Sequence, residues 1–179
     1  DKFYVETWVD DAMKYFTSRN FKIVSESGHI YGYGKSVWAL IDTGTREPSD
    51  IFAVREGLIN EYIEKDDICP IGKSSRVKIT DKASLIRSID TYYCDVDVNG
   101  HINSIKYIEH IFDLWDLDWY RQHTIKRLEI AYVAESHQGD RLHFYREQRD
   151  SDLDFNVRIT KSNELCEEIE ACRCRVLFG

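Results

Sequence analysis

The fold-deciding stretch of this chain is Asp95-Val96-Asp97-Val98-Asn99-Gly100-His101-Ile102-Asn103, which runs directly into Ser104-Ile105-Lys106-Tyr107-Ile108. Asn99-Gly100 predicts a tight turn, because glycine accepts a positive φ without steric cost and asparagine tolerates it. Asn103 is a good helix N-cap.

The residues after Asn103 predict one buried helix of about five turns. Apolar side chains recur there at spacings of three and four, namely Ile105, Ile108, Phe112, Trp115 and Trp119. The polar turn would therefore place Asp97, Asn99 and His101 at the N-terminal end of this helix. Unpaired N–H groups and the positive dipole end also lie there, an arrangement that suits chemistry on a carbonyl.

A calcium loop is the competing interpretation of the same residues. Asp95, Asp97, Asn99 and Gly100 occupy positions one, three, five and six of an EF-hand loop. Position twelve is Lys106, where the motif needs a bidentate glutamate, and a cation there would repel the metal ion. The preceding residues also favour a strand over an entering helix, so the calcium interpretation is the weaker one.

Bulk composition narrows the class of protein. The chain has 179 residues and a formal net charge of −8, which argues against a nucleic-acid partner. We expect no transmembrane segment and no signal peptide, because no apolar run approaches a membrane span. An odd count of five cysteines favours a reducing compartment, and we expect a cytoplasmic protein. Cys172 and Cys174 alternate with arginines on a predicted strand, where packing is favoured over metal binding.

An antiparallel sheet is predicted around the long helix. Strand-forming residues precede it at 83–93, and four candidate strands follow at 124–135, 141–149, 153–161 and 165–178. The short polar turns between them are typical of antiparallel neighbours. A helix with so much apolar surface must be covered, and a curved sheet wrapped around it would do so. This is the hotdog arrangement.

The N-terminal part of the chain predicts a second, incomplete hotdog. Strands are expected at 3–9, 21–25 and 30–42, with a short helix or an extended loop at 10–19 and a helix ending near Ile63. No comparable apolar helix precedes them, so we expect that the first strand and central helix of this domain lie upstream of Asp1. The predicted fold is α+β with tandem hotdog domains: 1–63 is the C-terminal part of the first, 64–81 a linker, and 82–179 the second.

The segment from Asp97 to Tyr107 resembles the D-x-x-G-H-x-N-x-x-x-Y turn of hotdog thioesterases. More narrowly, Asp97-Val98-Asn99-Gly100-His101-Ile102-Asn103 resembles the D-V-N-x-H-x-N motif of acyl-ACP thioesterases, a double-hotdog family of plants and bacteria. Tyr132-Val133-Ala134-Glu135-Ser136 is similar to that family's Y-x-x-E-C segment. Phe3 to Thr7 and Trp38 to Arg46 resemble its first domain.

The resemblance implies a catalytic site of Asp97, Asn99, His101 and Glu135 that hydrolyses a thioester. Glu135 or Asp97 would act as base or attack directly through an anhydride. The Asn99 carboxamide and the helix-start N–H groups would stabilise an oxyanion, and His101 would orient a carboxylate or protonate the leaving thiolate. Ser136 replaces the cysteine of plant members, so a Cys-His-Asn triad is not available at this place.

Three neighbouring residues have structural interpretations. Asp95 is expected to face solvent, Asn103 to act first as a helix cap, and His137 to follow from turn placement. None of them is included in the predicted site.

A basic segment is a candidate docking surface for the acidic acyl carrier protein. It contains five cations against Asp81 alone, namely Lys73, Arg76, Lys78, Lys82 and Arg87. The predicted function is hydrolysis of fatty acyl-ACP, which releases free fatty acid and terminates chain elongation in fatty acid synthesis. The alternatives are an acyl-CoA thioesterase of hotdog type and a non-catalytic acyl-binding hotdog module. No cofactor or metal is implied. Hotdog domains commonly pair side by side, and two in one chain would already satisfy that pairing, so the oligomeric state stays open with a homodimer as one candidate.

Overall fold

The computed structural model describes residues 2–72, 77–162 and 168–179. The chain forms two compact units, Asp1–Lys73 and Ser74–Gly179. The division between them falls within the predicted linker 64–81, and the predicted domain bounds at 63 and 82 stay predictions.

The first unit is built on a three-stranded antiparallel sheet in the order β1-β2-β3. Its strands are β1 (Phe3–Ala12), β2 (Phe16–Ser25) and β3 (Ile30–Ala39). The first hairpin turns tightly at Met13 and Phe16, whose backbone groups bond each other at 2.7 and 3.3 Å. Segment 10–19 is therefore mostly strand, and neither the short helix nor the extended loop predicted for it is present.

A helical segment follows the sheet at Ile51–Tyr62, close to the predicted position. It is 3₁₀-helical, and the Asp50 side chain accepts a hydrogen bond from the Phe52 amide at its start. Positive φ angles at Arg55, Glu56 and Gly57 interrupt it, so a continuous helix does not form here.

The second unit is a five-stranded antiparallel sheet in the order β4-β6-β7-β8-β5. Its strands are β4 (Ser84–Asp90), β5 (Ile125–Tyr132), β6 (Arg141–Gln148), β7 (Asp154–Ser162) and β8 (Glu168–Phe178). Alternate residues of each inner strand enter the core, such as Val157 and Ile159 on β7. The four predicted strands are present, and the antiparallel neighbours β6-β7-β8 are confirmed. The prediction is wrong for β5, which crosses to the far edge of the sheet and pairs with β8, not with β6. The bounds of the strands differ from the predicted ones by up to three residues, and β7 is shifted by one.

The predicted five-turn helix is wrong in its continuity. The chain forms α1 (Ser104–Phe112) and α2 (Leu117–Gln122), separated by a turn. The break occurs because the Asp116 side chain accepts from the Trp119 amide and starts a new helix. Arg146 donates to the carbonyl of Leu114 in the turn at 2.8 Å, which satisfies an acceptor that a continuous helix would have paired.

The helices pack on one face of this sheet and share a single apolar core with it, which confirms the predicted hotdog arrangement. Tyr107 and Ile111 of α1 are buried, while Ile105 is 54% exposed, so the helix is rotated relative to the predicted stripe. Trp115 packs edge-to-face on Phe155 and Phe178, with ring centroids 5.2 and 5.0 Å apart. The remaining buried members of this core come chiefly from the strands: Leu142, Phe144, Val157, Ile159, Ala171, Cys172, Cys174 and Val176.

Cys172 and Cys174 are fully buried free thiols, as expected for packing residues. Burial raises the pKa of Cys174 to about 12 and that of Cys172 still further, so neither forms a thiolate near neutral pH. Cys166 lies outside the described residues.

Across the described ranges, no helix has the length and apolar character needed to cross a membrane.

Candidate active site

The predicted polar turn forms a closed loop before α1. The Asp97 amide donates to the His101 carbonyl at 2.8 Å, and the Gly100 amide donates back to the Asp97 carbonyl at 3.1 Å. Val96 and Ile102 pair as an isolated antiparallel bridge at its base. Gly100 has a φ of 83°, which explains why glycine stands at this position. The loop therefore holds His101 in a defined place next to the buried helix.

The carboxylate of Asp97 accepts hydrogen bonds from the backbone of this turn. Its Oδ1 accepts from the Asn99 amide at 2.8 Å and from the His101 amide at 3.3 Å. The bond from the Asn99 amide is the main reason why the pKa of Asp97 lies below its ordinary value, and desolvation opposes it. The Asn99 side chain also bonds Asp97, which lowers the pKa of Asp97 further, and Asn99 is exposed at the tip of the turn.

The N-terminus of α1 is capped as predicted. The Asn103 side chain accepts from the Ile105 amide at 2.9 Å. Other amides at the helix start are also bonded: Ile102 donates to the Ser136 carbonyl, Asn103 to the Asp95 carbonyl and Lys106 to the Asn103 carbonyl. These groups are consequently not free to bind an oxyanion, which weakens that part of the sequence-based prediction.

Asp95 does not face solvent, contrary to prediction. It is 7% exposed, and its Oδ2 accepts from the Tyr92 amide at 2.8 Å. Its Oδ1 lies 4.0 Å from Nε2 of His110 on α1. A short 3₁₀ turn (Tyr93–Asp95) reverses the backbone and directs the Asp95 carboxylate inward. The alternating polar residues of the sequence do not indicate this turn, so the burial of Asp95 was not predicted.

Of the four predicted site residues, the structure brings together His101 and Glu135, which are far apart in the sequence. Nε2 of His101 lies 3.3 Å from Oε2 of Glu135, which sits in the irregular segment after β5. Their side chains are 27% and 53% exposed, so the pair faces a surface that a substrate can reach. A carboxylate beside an imidazole can accept a proton from water and pass one to a leaving group.

A second imidazole adjoins this pair. The ring of His137 meets the ring of His101 edge-on, with centroids 5.1 Å apart and planes at 85°. Sequence reasoning attributed His137 to turn placement. It does precede the turn at Gly139, but its spacing of two from Glu135 was the signal that it shares the site.

Ser136, between these two residues, is fully buried. Its side chain lies beside Tyr107 of α1, whose pKa is raised by burial and partly restored by this contact. Tyr132 donates to the Ser104 carbonyl at 3.0 Å, and its ring lies 5.8 Å from that of Tyr107. Ser136 is therefore a packing residue, and its hydroxyl does not face the surface on which Glu135 lies.

The predicted docking residues are only partly described. Lys73 and Arg76 lie outside the described residues. Lys78 and Lys82 line one cavity of about 460 Å³, together with Arg149 and Arg175. Arg87 forms an exposed ion pair with Asp113 at 3.1 Å, which partly neutralises its charge.

Within the described ranges, no group of three or more histidine, cysteine or acidic side chains is arranged to hold a metal ion.

Comparison with known proteins identifies the family. The model of the acyl-ACP thioesterase C-terminal domain matches residues 78–175, and that of the N-terminal domain matches residues 1–62. The chain belongs to the acyl-ACP thioesterase family.

Solved members of the family share its fold. An acyl-ACP thioesterase from Bacteroides thetaiotaomicron is 41% identical, with a TM-score of 0.87 over 99% of this chain and 68% of that one. A 12:0-ACP thioesterase from Umbellularia californica is 20% identical, with a TM-score of 0.76 over 99% and 67% of the two chains, a likeness of fold alone. These relatives confirm the predicted hotdog fold.

A curated relative shows how much of a family member this chain spans. It is 26% identical to the chloroplastic palmitoyl-acyl carrier protein thioesterase of Gossypium hirsutum over 167 residues, which cover 91% of this chain. The same match covers 40% of the cotton protein. The chain thus spans about two fifths of that relative's length.

Proposed function

We propose that this protein hydrolyses the thioester of a fatty acyl group carried on acyl carrier protein. The products are a free fatty acid and the free thiol of the carrier, so the reaction terminates chain elongation in fatty acid synthesis. The observation that carries the proposal is the 3.3 Å approach of His101 to Glu135 in a chain of this family.

Glu135 is the better candidate for the general base. Asp97 already accepts two backbone amides of its own turn, whereas Glu135 directs a carboxylate oxygen at an imidazole on an exposed surface. In this assignment Glu135 takes a proton from water while the water oxygen forms a bond to the thioester carbon. The C–S bond then breaks as the carbonyl re-forms, and the proton taken up by Glu135 passes through His101 to the departing thiolate, which leaves both side chains as they began.

Asn99 is the proposed oxyanion donor, because it is exposed at the tip of the turn and the amides of Gly100, Ile102 and Asn103 are already bonded. A carboxamide has two N–H donors, so its bond to Asp97 leaves one for the oxyanion. Asp97 is proposed to act by holding Asn99 and His101 in place. Direct attack by Glu135 through an anhydride is the alternative route. A single turnover in H₂¹⁸O tests the anhydride route: water that attacks the anhydride at the Glu135 carbonyl leaves ¹⁸O in that carboxylate, which direct attack of water on the thioester never does. Hydroxylamine trapping of a Glu135-bound acyl group tests the same route when water attacks the fatty acyl carbonyl.

Comparing substrates tests the function against its rivals. The purified protein is incubated with acyl-ACP and with acyl-CoA of the same acyl chain, and released thiol is titrated. Faster release from acyl-ACP supports the proposal, and preference for acyl-CoA indicates the hotdog acyl-CoA thioesterase. Binding of the acyl chain without release from either substrate indicates the non-catalytic module.

Docking of the carrier protein is proposed at the basic segment that includes Lys78, Lys82 and Arg87. The two lysines share a cavity edge with Arg149 and Arg175, against Glu147 and Asp150 in the same lining. Both arginines are ion-paired with Asp154, so the positive charge available to a partner comes chiefly from the lysines. Reversing Lys78, Lys82 and Arg87 to glutamate should raise KM for acyl-ACP and leave a small thioester substrate unaffected. Equal effects on both substrates would reject this surface.

The cytoplasm as location and the pairing of two chains into a homodimer stay predictions. Sedimentation of the purified protein decides the second.

A further inference from the structure

The segment that carries Glu135 follows β5 as an irregular stretch. It begins with bonds from the Val133 and Ala134 amides to the Ala171 carbonyl of β8, and the Glu135 side chain beyond them is about half exposed. Bonds to the backbone around Glu135 therefore contribute to where its carboxylate lies. The distance of 3.3 Å to His101 is at the limit of hydrogen-bond reach. A small backbone displacement would separate the two groups, and misplacement by about 1 Å can slow catalysis by roughly 100-fold.

A lysine on strand β7 bonds this segment at both ends. Nζ of Lys161 donates to the Glu135 carbonyl at 2.6 Å and lies 3.4 Å from Oδ2 of Asp140. The same carboxylate oxygen accepts from the His137 amide at 2.9 Å. Lys161 and Asp140 together thus bind the backbone on either side of Ser136.

Three further contacts complete the attachment. The Ser136 carbonyl accepts from the amide of Ile102, the residue after His101, at 2.8 Å. The Thr91 hydroxyl lies 2.9 Å from the His137 carbonyl and 2.8 Å from that of Asp140. Every residue from Glu135 to His137 is therefore bonded through its backbone, and one bond joins the segment directly to the turn that carries His101.

The ion pair between Lys161 and Asp140 is largely shielded from solvent. The side chains of Lys161 and Asp140 are 14% and 15% exposed, whereas those of the neighbouring Arg141–Asp90 pair are 56% and 55% exposed. Removing one partner of a shielded pair leaves a charge without compensation, which an exposed pair does not.

We propose that Lys161, with Asp140, is a positioning residue that keeps the Glu135 carboxylate within proton-transfer distance of His101. This inference rests on the proposed function. Lys161 does not touch the substrate. It acts through the backbone of the segment, so its loss should lower kcat without weakening binding of the acyl chain.

The test compares three single variants of the whole chain. Lys161→Met keeps the aliphatic stem and removes the charge, and it should lower kcat about 10- to 100-fold with KM changed less than about threefold. Lys161→Arg restores a donor and should recover most of the rate. Arg141→Met removes the adjacent exposed ion pair and should leave kcat within about twofold of the parent.

Hydrogen exchange of amides 134–138 supplies a readout that does not need turnover. Exchange should accelerate in Lys161→Met and stay unchanged in Arg141→Met. If Lys161→Met does not fold, Asp140→Asn takes its place, since its amide oxygen still accepts from His137 while the charge pairing is lost.

The outcomes separate the two proposals. A parent protein that hydrolyses acyl-ACP and a Lys161→Met variant with unchanged kcat would overturn the positioning role and leave the function standing. A parent that hydrolyses no thioester would overturn the function. In that case unchanged exchange in Lys161→Met also overturns the positioning role, and faster exchange supports it.

Discussion

Nε2 of His101 lies 3.3 Å from Oε2 of Glu135, although the two residues stand 34 positions apart in the chain. His101 closes a turn before α1, and Glu135 leaves the edge strand β5. The contact exists because the Ile102 amide bonds the Ser136 carbonyl and joins the two segments. The proposed chemistry depends on this junction.

Substituting either member of the pair should abolish most activity. We expect Glu135→Gln and His101→Ala each to lower kcat about 100- to 10,000-fold, the range for loss of an acid–base group. Both side chains are partly exposed, so the thermal midpoint should change little. Thiol release from acyl-ACP measures the first effect, and circular dichroism melting checks the second. Retention of more than half the parent rate in both variants would exclude this site.

Asp97 should support stability in a pH-dependent manner. Its pKa is lowered in the folded protein, chiefly by the Asn99 amide, so its ionised form favours folding. The stabilisation is complete above the ordinary value of 3.8 and is lost as pH falls through the lower folded pKa. Asp97→Asn should therefore melt below the parent at pH 5 to 7 (about one to three pH units above that ordinary value). Melting curves should converge in more acidic buffer, and a gap that widens there would contradict this role.

His110 should make the protein sensitive to acid in a different range. Burial lowers its pKa below the ordinary 6.5, while the nearby Asp95, Asp113 and Glu109 oppose this shift and Arg87 adds to it. Below pH 6.5 His110 binds a proton in the unfolded chain more readily than in the folded chain. The free energy of unfolding therefore falls as the medium becomes more acidic. His110→Gln should flatten the decline in thermal midpoint between pH 7.5 and 5.5 (about one pH unit either side of the ordinary histidine value). An equal decline in both proteins would show that another group is responsible.

Two isoleucines of α1 offer a matched test of how the helix is oriented. Ile111 is fully buried and Ile105 is 54% exposed. Ile111→Ala should lower the free energy of unfolding by about 2–5 kcal/mol. Ile105→Ala should change it by no more than about 0.5 kcal/mol. Denaturant titration of both variants measures the difference, and similar losses would mean that α1 is rotated from the orientation described.

Local patterns in the chain were sufficient to predict much of the second unit. Alternating apolar residues and short polar turns identified the strands, because a sheet with one buried face requires that periodicity. They did not identify the place of β5, which lies beside β8 although only a short turn region separates it from β6. Asn103 marked the start of α1, since a helix N-cap is recognised by the side chain itself. The spacing of three and four overestimated the helix, because both α1 and α2 satisfy it and the cap at Asp116 interrupts them.

Burial of individual polar residues was not predictable from the same patterns. Asp95 was expected in solvent, yet a short 3₁₀ turn directs its carboxylate inward beside His110. Whether a polar side chain faces water depends on the direction of the backbone across several residues and on the elements packed over it. Neither is encoded in the residue types alone.

The amino-acid sequence by itself determined the strands, the capped helix and the set of polar residues at the turn, because these depend on neighbours within a few positions. Only the tertiary structure decided that Glu135 meets His101, that His137 joins them and that Lys161 holds their segment. Those contacts join residues brought together by strand order in the sheet, and strand order follows from burial of the whole core, which no local pattern specifies.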